Sequence, residues 1–248
     1  MPPVSPAETP SCWREINPND LPIVIAFCCV FALLLVGSLY SRNFLSPEYL
    51  LQQLKVGAFL GVIATGMTFV ILLGHIDLSV PWAATTGAML GCAASAYGPI
   101  GEAFAIPFGV LCGVAIGTVN GLGVAYLRIP SMIITLAVNA VAQGLMVAYT
   151  GGFAPQDSAT SSMRLLGAES TFWFVPNAVV VWAIVGAGAA FVLGRTTFGR
   201  AVYAIGNRES VAYLSGIRTQ RIVVLTFILS GGLAAFGGVL LALSLIHI

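Results

Sequence analysis

Thr196–Arg221 reads TTFGRAVYAIGNRESVAYLSGIRTQR. With Gly194 and Arg195 before it, this is the one long polar break in a chain otherwise built of apolar runs and tight turns. Arg195, Arg200, Arg208, Arg218 and Arg221 fall inside it, five of the nine arginines, against a single acid, Glu209. A basic loop between apolar spans marks the cytoplasmic side of a membrane. Its texture also suggests a docking surface. Asn207 suits an N-cap, Arg208–Ser215 can make about two helical turns, and Gly216 suits a left-handed stop. Val211, Leu214 and Ile217 would then share one side, with Arg208, Glu209 and Ser215 facing elsewhere. Such a short amphipathic helix can press an apolar knob into a protein partner, or lie on anionic lipid.

The rest of the chain supplies the membrane. Of 248 residues, 58% are hydrophobic and 8% charged, and the mean hydropathy is +0.97. A soluble domain carries roughly 25% charged residues because its surface must meet water. Too few charges exist here to cover a particle of this size, so lipid is the solvent for much of it. The net charge of +1 says nothing about nucleic acid, and with no basic tract to suggest it, none is expected as a partner. Cys12, Cys28, Cys29, Cys92 and Cys112 show no metal-ligand spacing and read as small buried hydrophobes.

Seven apolar spans can be drawn, near Leu21–Tyr40, Val56–Leu73, Val80–Tyr97, Ala103–Leu127, Met132–Thr150, Phe172–Leu193 and Ile222–Ile246. Each approaches the roughly 20 residues that a bilayer requires. Helices are the form that leaves no backbone group unpaired in hydrocarbon. The fold class is therefore all-α, a polytopic transmembrane helix bundle. Residues 1–20 form a proline-rich leader without a cleavage site, expected to be cytoplasmic, and 21–248 form the membrane domain. With Gly194–Arg221 inside, Arg14, Arg128 and the five loop arginines fall on the cytoplasmic side, and Arg42, Lys55 and Arg164 outside. That bias favours a cytoplasmic N-terminus, with Gly151–Thr171 outside.

Span four carries a small residue at every fourth position: Gly101, Ala105, Gly109, Gly113, Gly117, Gly121 and Ala125. On a helix these share one face, a groove for close helix packing or a lining for a substrate path. Ser230, Ala234, Gly238 and Ala242 repeat the pattern in span seven. Three polar islands interrupt the apolar background. Gly74–Trp82 (GHIDLSVPW) holds Asp77 and Ser79, either caps of the next helix with Pro81 in its first turn, or a functional intramembrane acid. Asn120 lies deep in span four, joined by Arg128, Pro130, Ser131 and Thr135, and can bridge helices or serve the pathway. Asn139 and Gln143, four apart, share a face of span five that could line a sugar path.

Four segments in order resemble the ribose-type permeases of bacterial ATP-binding-cassette importers, a family that also includes branched-chain amino-acid permeases. They are Gly74–Val80 (GHIDLSV), Asn120-Gly121, Pro130–Leu136 (PSMIITL), and Phe198–Ile217 with Leu229–Gly238. The resemblance covers about Leu50–Leu243. Gly199, Arg200, Tyr203, Ala204, Gly206, Ala212, Ser215, Gly216 and Ile217 fall where the family has them. The resemblance implies that Gly194–Arg221 is a coupling loop docking into a cytoplasmic ABC ATPase, through these residues and Asn207, Arg208, Glu209, Val211 and Leu214. It further implies a periplasmic sugar-binding protein at the outer face, a second permease subunit as a homodimer, and the bacterial inner membrane as location. ATP and magnesium would sit on the partner ATPase. This chain has no phosphate loop and no catalytic or metal-ligand set, so it is expected to bind no cofactor and to be no enzyme.

Departures accompany the likeness. Pro81 replaces a glycine; Ser131, Met132 and Ala137 replace Pro, Phe and Gly; Val211 and Tyr213 replace Ala and Arg in the docking helix. About seven of the roughly ten spans of such permeases are present, so a truncated reading frame is expected, with Ser244–Ile248 (SLIHI) foreign to it. Likeness to the Ile-Asp-Leu-Ser element favours a ribose-like monosaccharide. The alternatives are a branched-chain amino-acid permease, an ion-coupled secondary transporter relying on Asp77 or Glu102, or an inactive fragment.

Overall fold

The computed structural model describes residues 21–152, 160–167, 169–170 and 175–245. The leader, the start of the sixth expected span, and Ile246–Ile248 lie outside them. Among the described residues there are helices and no strand. The contacts divide the chain at Leu50.

In the first unit, α1 (Leu21–Tyr40) buries no residue. Cys28 and Cys29 are therefore exposed on it rather than buried, because a helix apolar all round can give its whole surface to lipid. A 3₁₀ turn follows at Arg42–Leu45, and the Phe44 ring meets that of Tyr49 at 4.8 Å. α2 (Pro47–Leu72) begins there and continues into the second unit.

The second unit contains α3 (Val80–Ala94), α4 (Gly98–Ala125), α5 (Ser131–Thr150), α6 (Ser161–Gly167), α7 (Asn177–Arg195), α8 (Thr197–Asn207), α9 (Glu209–Leu214) and α10 (Thr219–Leu245). Six described stretches are long and apolar enough to cross a membrane, where the sequence suggests seven. The difference lies in Val80–Ala125, which is one 46-residue stretch by that measure. A 3₁₀ turn at Ser95–Tyr97 and Gly98, at φ 77°, break it into α3 and α4. α3 has only 15 residues, or roughly 22 Å of helix against a hydrocarbon core of about 30 Å.

α3, α4 and α10 pack against one another as the centre of the bundle. All seven small residues of the span-four ladder are buried, which makes the ladder a packing face. A Cβ on Gly113 would strike the Gly231 carbonyl oxygen and the Ala235 Cβ, and one on Gly231 would strike the Gly113 carbonyl. The backbones of α4 and α10 thus touch, as small residues permit where lipid removes any hydrophobic drive between helices. Further out, cover is sparse. α7 buries only Ala178, and α5 buries Thr135, Ala142 and Met146.

Replacing Gly113 with leucine is expected to destabilise the bundle strongly, because neither backbone can retreat from the other. Overpacking of this kind costs about 1–3 kcal/mol or more. Gly144→Leu is the control, since a Cβ there meets nothing within 4 Å. Thermal unfolding in detergent should separate the two, and equal midpoints would overturn the packing assignment.

Candidate functional site

Two assemblies meet at one end of the bundle. The first is polar and buried. α2 stops at Gly74, which is left-handed at φ 81°. The Gly74 N–H donates to the Ile71 carbonyl at 2.9 Å and that of His75 to Val70 at 3.1 Å, closing the last turn. Beyond it, the amides of Ile76 and Leu78 find hydroxyls on the first turns of α5. The Ile76 N–H donates to Ser131 Oγ at 3.3 Å. The Leu78 N–H donates to Thr135 Oγ1 at 3.0 Å, and Thr135 in turn donates to the Ser131 carbonyl at 2.7 Å.

Asp77 is the centre of this assembly, with 1% of its surface exposed. One carboxylate oxygen accepts the Ser79 N–H at 3.0 Å and the Ser79 hydroxyl at 2.6 Å. The other accepts the Ser230 hydroxyl, from α10, at 3.1 Å. Asn120 on α4 donates its amide to Ser79 Oγ at 2.7 Å, while its Oδ1 is buried without a partner. Asp77 thus makes one local link and one long-range link. The bond to the Ser79 N–H is an Asx turn leading into α3, with Pro81 in the first turn. The bond to Ser230 reaches across 153 residues of chain. Ser79 occupies the N-cap position yet makes no capping bond; its hydroxyl relays Asn120 to Asp77.

The second assembly lies on the surface beside the first. Thr196 caps α8, accepting the Gly199 N–H at 3.2 Å. α8 is amphipathic, a helix that the sequence reading leaves unassigned. It buries Gly199, Ala201, Val202 and Ile205, and of these Val202 and Ile205 join a cluster with Val70, Leu73, Val124, Ala212, Val223 and Phe227. Gly206 lies so close to the Leu72 carbonyl that a Cβ there would collide with it. Asn207 is the last residue of α8 rather than a cap. The hinge is Arg208, extended at φ −157° and ψ 105° without a side-chain capping bond, and the next helix is Glu209–Leu214 instead of Arg208–Ser215. The correction has a local cause: α8 already uses Asn207, so one extended residue remains to turn the chain.

The far stop is as expected. Gly216 is left-handed at φ 84°, and the Ile217 N–H donates to the Ala212 carbonyl at 3.1 Å. Ala212 is buried and Ile217 partly so against the core cluster, which removes Ile217 from the expected outer side. Val211, Tyr213 and Leu214 are exposed, Leu214 by 84%, and Tyr203 of α8 joins them. Arg200, Asn207, Arg208, Ser215 and Gly216 are exposed around this ridge, with Ala204 and Glu209 partly covered. Arg128 Nη1 meets Glu209 Oε1 at 2.8 Å, tying the α4–α5 turn to α9. Arg128 makes that turn at φ 55°. Among the described residues, Arg195, Arg200, Arg208, Arg218 and Arg221 form no ion pair.

Four of the six polar candidates therefore come together: Asp77, Ser79, Asn120 and Thr135. Asn139 and Gln143 stand one and two turns farther along α5. Gln143 is exposed, and Asn139 Oδ1 is buried without a partner. Ser131, named in the sequence only as a neighbour of Asn120 and Thr135, and Ser230 also belong to the first assembly. For Ser230 the usable signal is a hydroxyl placed at a position of the small-residue ladder. Glu102 is at the opposite end of α4, where its carboxylate accepts the Ser161 N–H at the start of α6, at 2.9 Å. Among the described residues no group of three metal-binding side chains occurs.

Residues 49–248 match the family described as branched-chain amino acid transport system / permease component. The chain is 33% identical over 218 residues to a ribose import permease protein of Haemophilus influenzae, covering 87% of this chain and 67% of that protein. It is 36% identical over 234 residues to an L-arabinose ABC transporter permease protein of Azospirillum brasilense, covering 93% and 66%. An autoinducer 2 import system permease protein of Salmonella typhi is 31% identical over 235 residues, covering 91% and 63%. The chain spans about two thirds of the length of the curated relatives it matches. No solved structure matches.

His75 offers a pH test of the joined assemblies. Its ring lies 6.1 Å from that of Phe227, and burial pushes its pKa below the usual 6.5, partly offset by Glu209. The unfolded chain then binds more protons than the native one, so the contribution is full above about pH 6.5 and is lost as pH falls through the native value. His75→Gln is expected to flatten the fall of the melting midpoint between about pH 7.5 and 5. An unchanged slope would show that His75 does not titrate with folding.

Proposed function

The chain belongs to the permease family of the branched-chain amino acid transport system type, a multi-pass membrane family with ABC importer permeases for ribose, arabinose and autoinducer 2, and on that footing we propose that it forms the membrane path of an ATP-driven sugar importer. A permease subunit of this kind is not itself catalytic and binds no cofactor. Hydrolysis belongs to a cytoplasmic ABC ATPase carrying ATP and magnesium, and delivery to a periplasmic binding protein.

The observation behind this reading is the ridge of Tyr203, Val211, Tyr213 and Leu214. α8 has already spent its apolar face on the bundle, so it cannot also bury that face in lipid. What remains is an aromatic and aliphatic knob ringed by unpaired arginines. Buried aromatic anchors with a polar rim are the composition of a protein interface. Closure of two ATPases would displace the α8–α9 surface and swing the attached spans, an alternating-access change by rigid-body motion.

Position supports the proposed orientation. Arg128 and Glu209 share one end of the bundle, Glu102 and Ser161 the other. With the arginine-rich end in the cytoplasm, the N-terminus is cytoplasmic and the α6 region is external. The substrate is proposed as a ribose-like monosaccharide, the class named in two of the relatives. A second copy of the chain would face the uncovered side of α5, where Gln143 is exposed and Asn139, one turn earlier, is half-buried, the two lining the sugar path. An uncovered primary amide in hydrocarbon is unfavourable, which argues for water or protein beside Gln143.

Two experiments test this. A bifunctional reagent attached at Val211→Cys in native membranes should capture a phosphate-loop ATPase, and Leu214→Asp should abolish capture; labelling of lipid alone would overturn the docking reading. For the path, Gln143→Leu is expected to lower uptake about tenfold at equal membrane insertion, the size of one lost polar substrate contact. Unchanged uptake with raised stability would instead place Gln143 against lipid.

A further inference from the structure

We propose that the Leu73–Ser79 segment is the joint through which movement of the α8–α9 surface enters the bundle, with Asp77 and Thr135 as its positioning residues; this deepens the docking reading and rests on it for its functional consequence.

The geometry is continuous. On its outer side the joint touches the docking surface directly: Gly206 of α8 abuts the Leu72 carbonyl, Leu73 shares one apolar cluster with Val202, Ile205 and Ala212, and the Phe69 ring lies 6.3 Å from Phe198. On its inner side it is gripped by three helices through side chains distant in sequence. α5 holds the Ile76 and Leu78 amides through Ser131 and Thr135. α10 holds Asp77 through Ser230. α4 holds Ser79 through Asn120. The Arg128–Glu209 pair adds a second, exposed link between α9 and the α4–α5 turn.

Chemistry explains why an acid stands at the centre. Only a carboxylate offers acceptors on both oxygens and no donor, so it can take the Ser79 amide, the Ser79 hydroxyl and the Ser230 hydroxyl together. An asparagine would turn an N–H₂ toward one of those donors. The Asp77 bonds hold the segment to α10, and the Thr135 bond holds it to α5. A segment fixed on both sides moves with the docking surface instead of folding under it.

Exchange of backbone amides, measured by mass spectrometry on the chain in lipid nanodiscs, tests the joint without any ATPase. Asp77→Asn and the near-isosteric Thr135→Val should raise exchange at residues 76–79 and also in α8–α9, by about tenfold, the change that local opening made 1.4 kcal/mol easier would produce. Reciprocally, Glu209→Gln should raise exchange at Ile76 and Leu78, as coupling between two sites must run both ways. Changes confined to residues 76–79 would overturn the joint and leave a local brace. Thr135→Val keeps the question open to measurement if Asp77→Asn does not insert. In the complete importer, both variants should retain Val211→Cys capture of the ATPase but move at least about tenfold less sugar per ATP. Capture kept with normal sugar per ATP would also overturn the joint. Absence of capture with Val211→Cys as the only change would instead overturn the docking reading, while the exchange result stands alone.

Discussion

Contact between the backbones of α4 and α10 is the constraint on which the rest depends. Lipid is as apolar as a leucine side chain, so burying leucines cannot hold two spanning helices together. Here glycine and alanine bring the backbones into contact at Gly113, Gly117 and Gly231, and dispersion over a long seam replaces the missing hydrophobic drive. The seam also fixes register. Asn120 is one residue before Gly121 on α4, and Ser230 one before Gly231 on α10, so the same contact delivers both polar side chains to the α2–α3 connection. Slip by one turn would carry Asn120 away from Ser79 and Ser230 away from Asp77, and leave the buried carboxylate without its partner on α10. The polar centre therefore reports the packing, and the packing makes the polar centre affordable in hydrocarbon.

Much of this was written plainly in the sequence. The every-fourth-residue ladder of α4 is a helical signal that needs no partner to be read, and all seven positions are buried as that signal implies. Gly216 ends α9 as its neighbours suggest, because a left-handed stop is a local event. What was not legible depended on distance along the chain. Ser230 looks like a small packing residue until Asp77 is placed beside it. α8 was missed because its apolar period is filled by Gly199, Ala201, Val202 and Ile205, small or shared with a loop texture rich in arginine. The end of α8 then displaced the expected cap from Asn207 to Arg208. The break between α3 and α4 was legible as the gap between the third and fourth apolar spans, and the structure sets it at Ser95–Gly98, where Gly98 takes a positive φ.

The outer helices differ in kind from the centre. α7 buries one residue and α5 three, whereas most of the apolar window of α10, 61%, is covered. α5 stands at the boundary. Its first turn is bonded to the joint through Ser131 and Thr135, while its later turns expose Leu136, Val141 and Leu145.

Strength is distributed to match. Hydrogen bonds between membrane helices average only about 0.6 kcal/mol each, so four such links around the joint supply on the order of 2–3 kcal/mol. That is enough to keep a short segment in register with its helices, and small beside what nucleotide binding can deliver to a partner. The exposed Arg128–Glu209 pair adds less, since surface ion pairs contribute roughly 0–1 kcal/mol. A stiffer connection, built from buried ion pairs, would demand an opposite charge beside Asp77 and would fix one arrangement. Hydroxyls and an amide give a connection that is directional yet can be re-formed after displacement. A carboxylate surrounded by neutral donors is thus the chemistry suited to a part that must move as a unit and return.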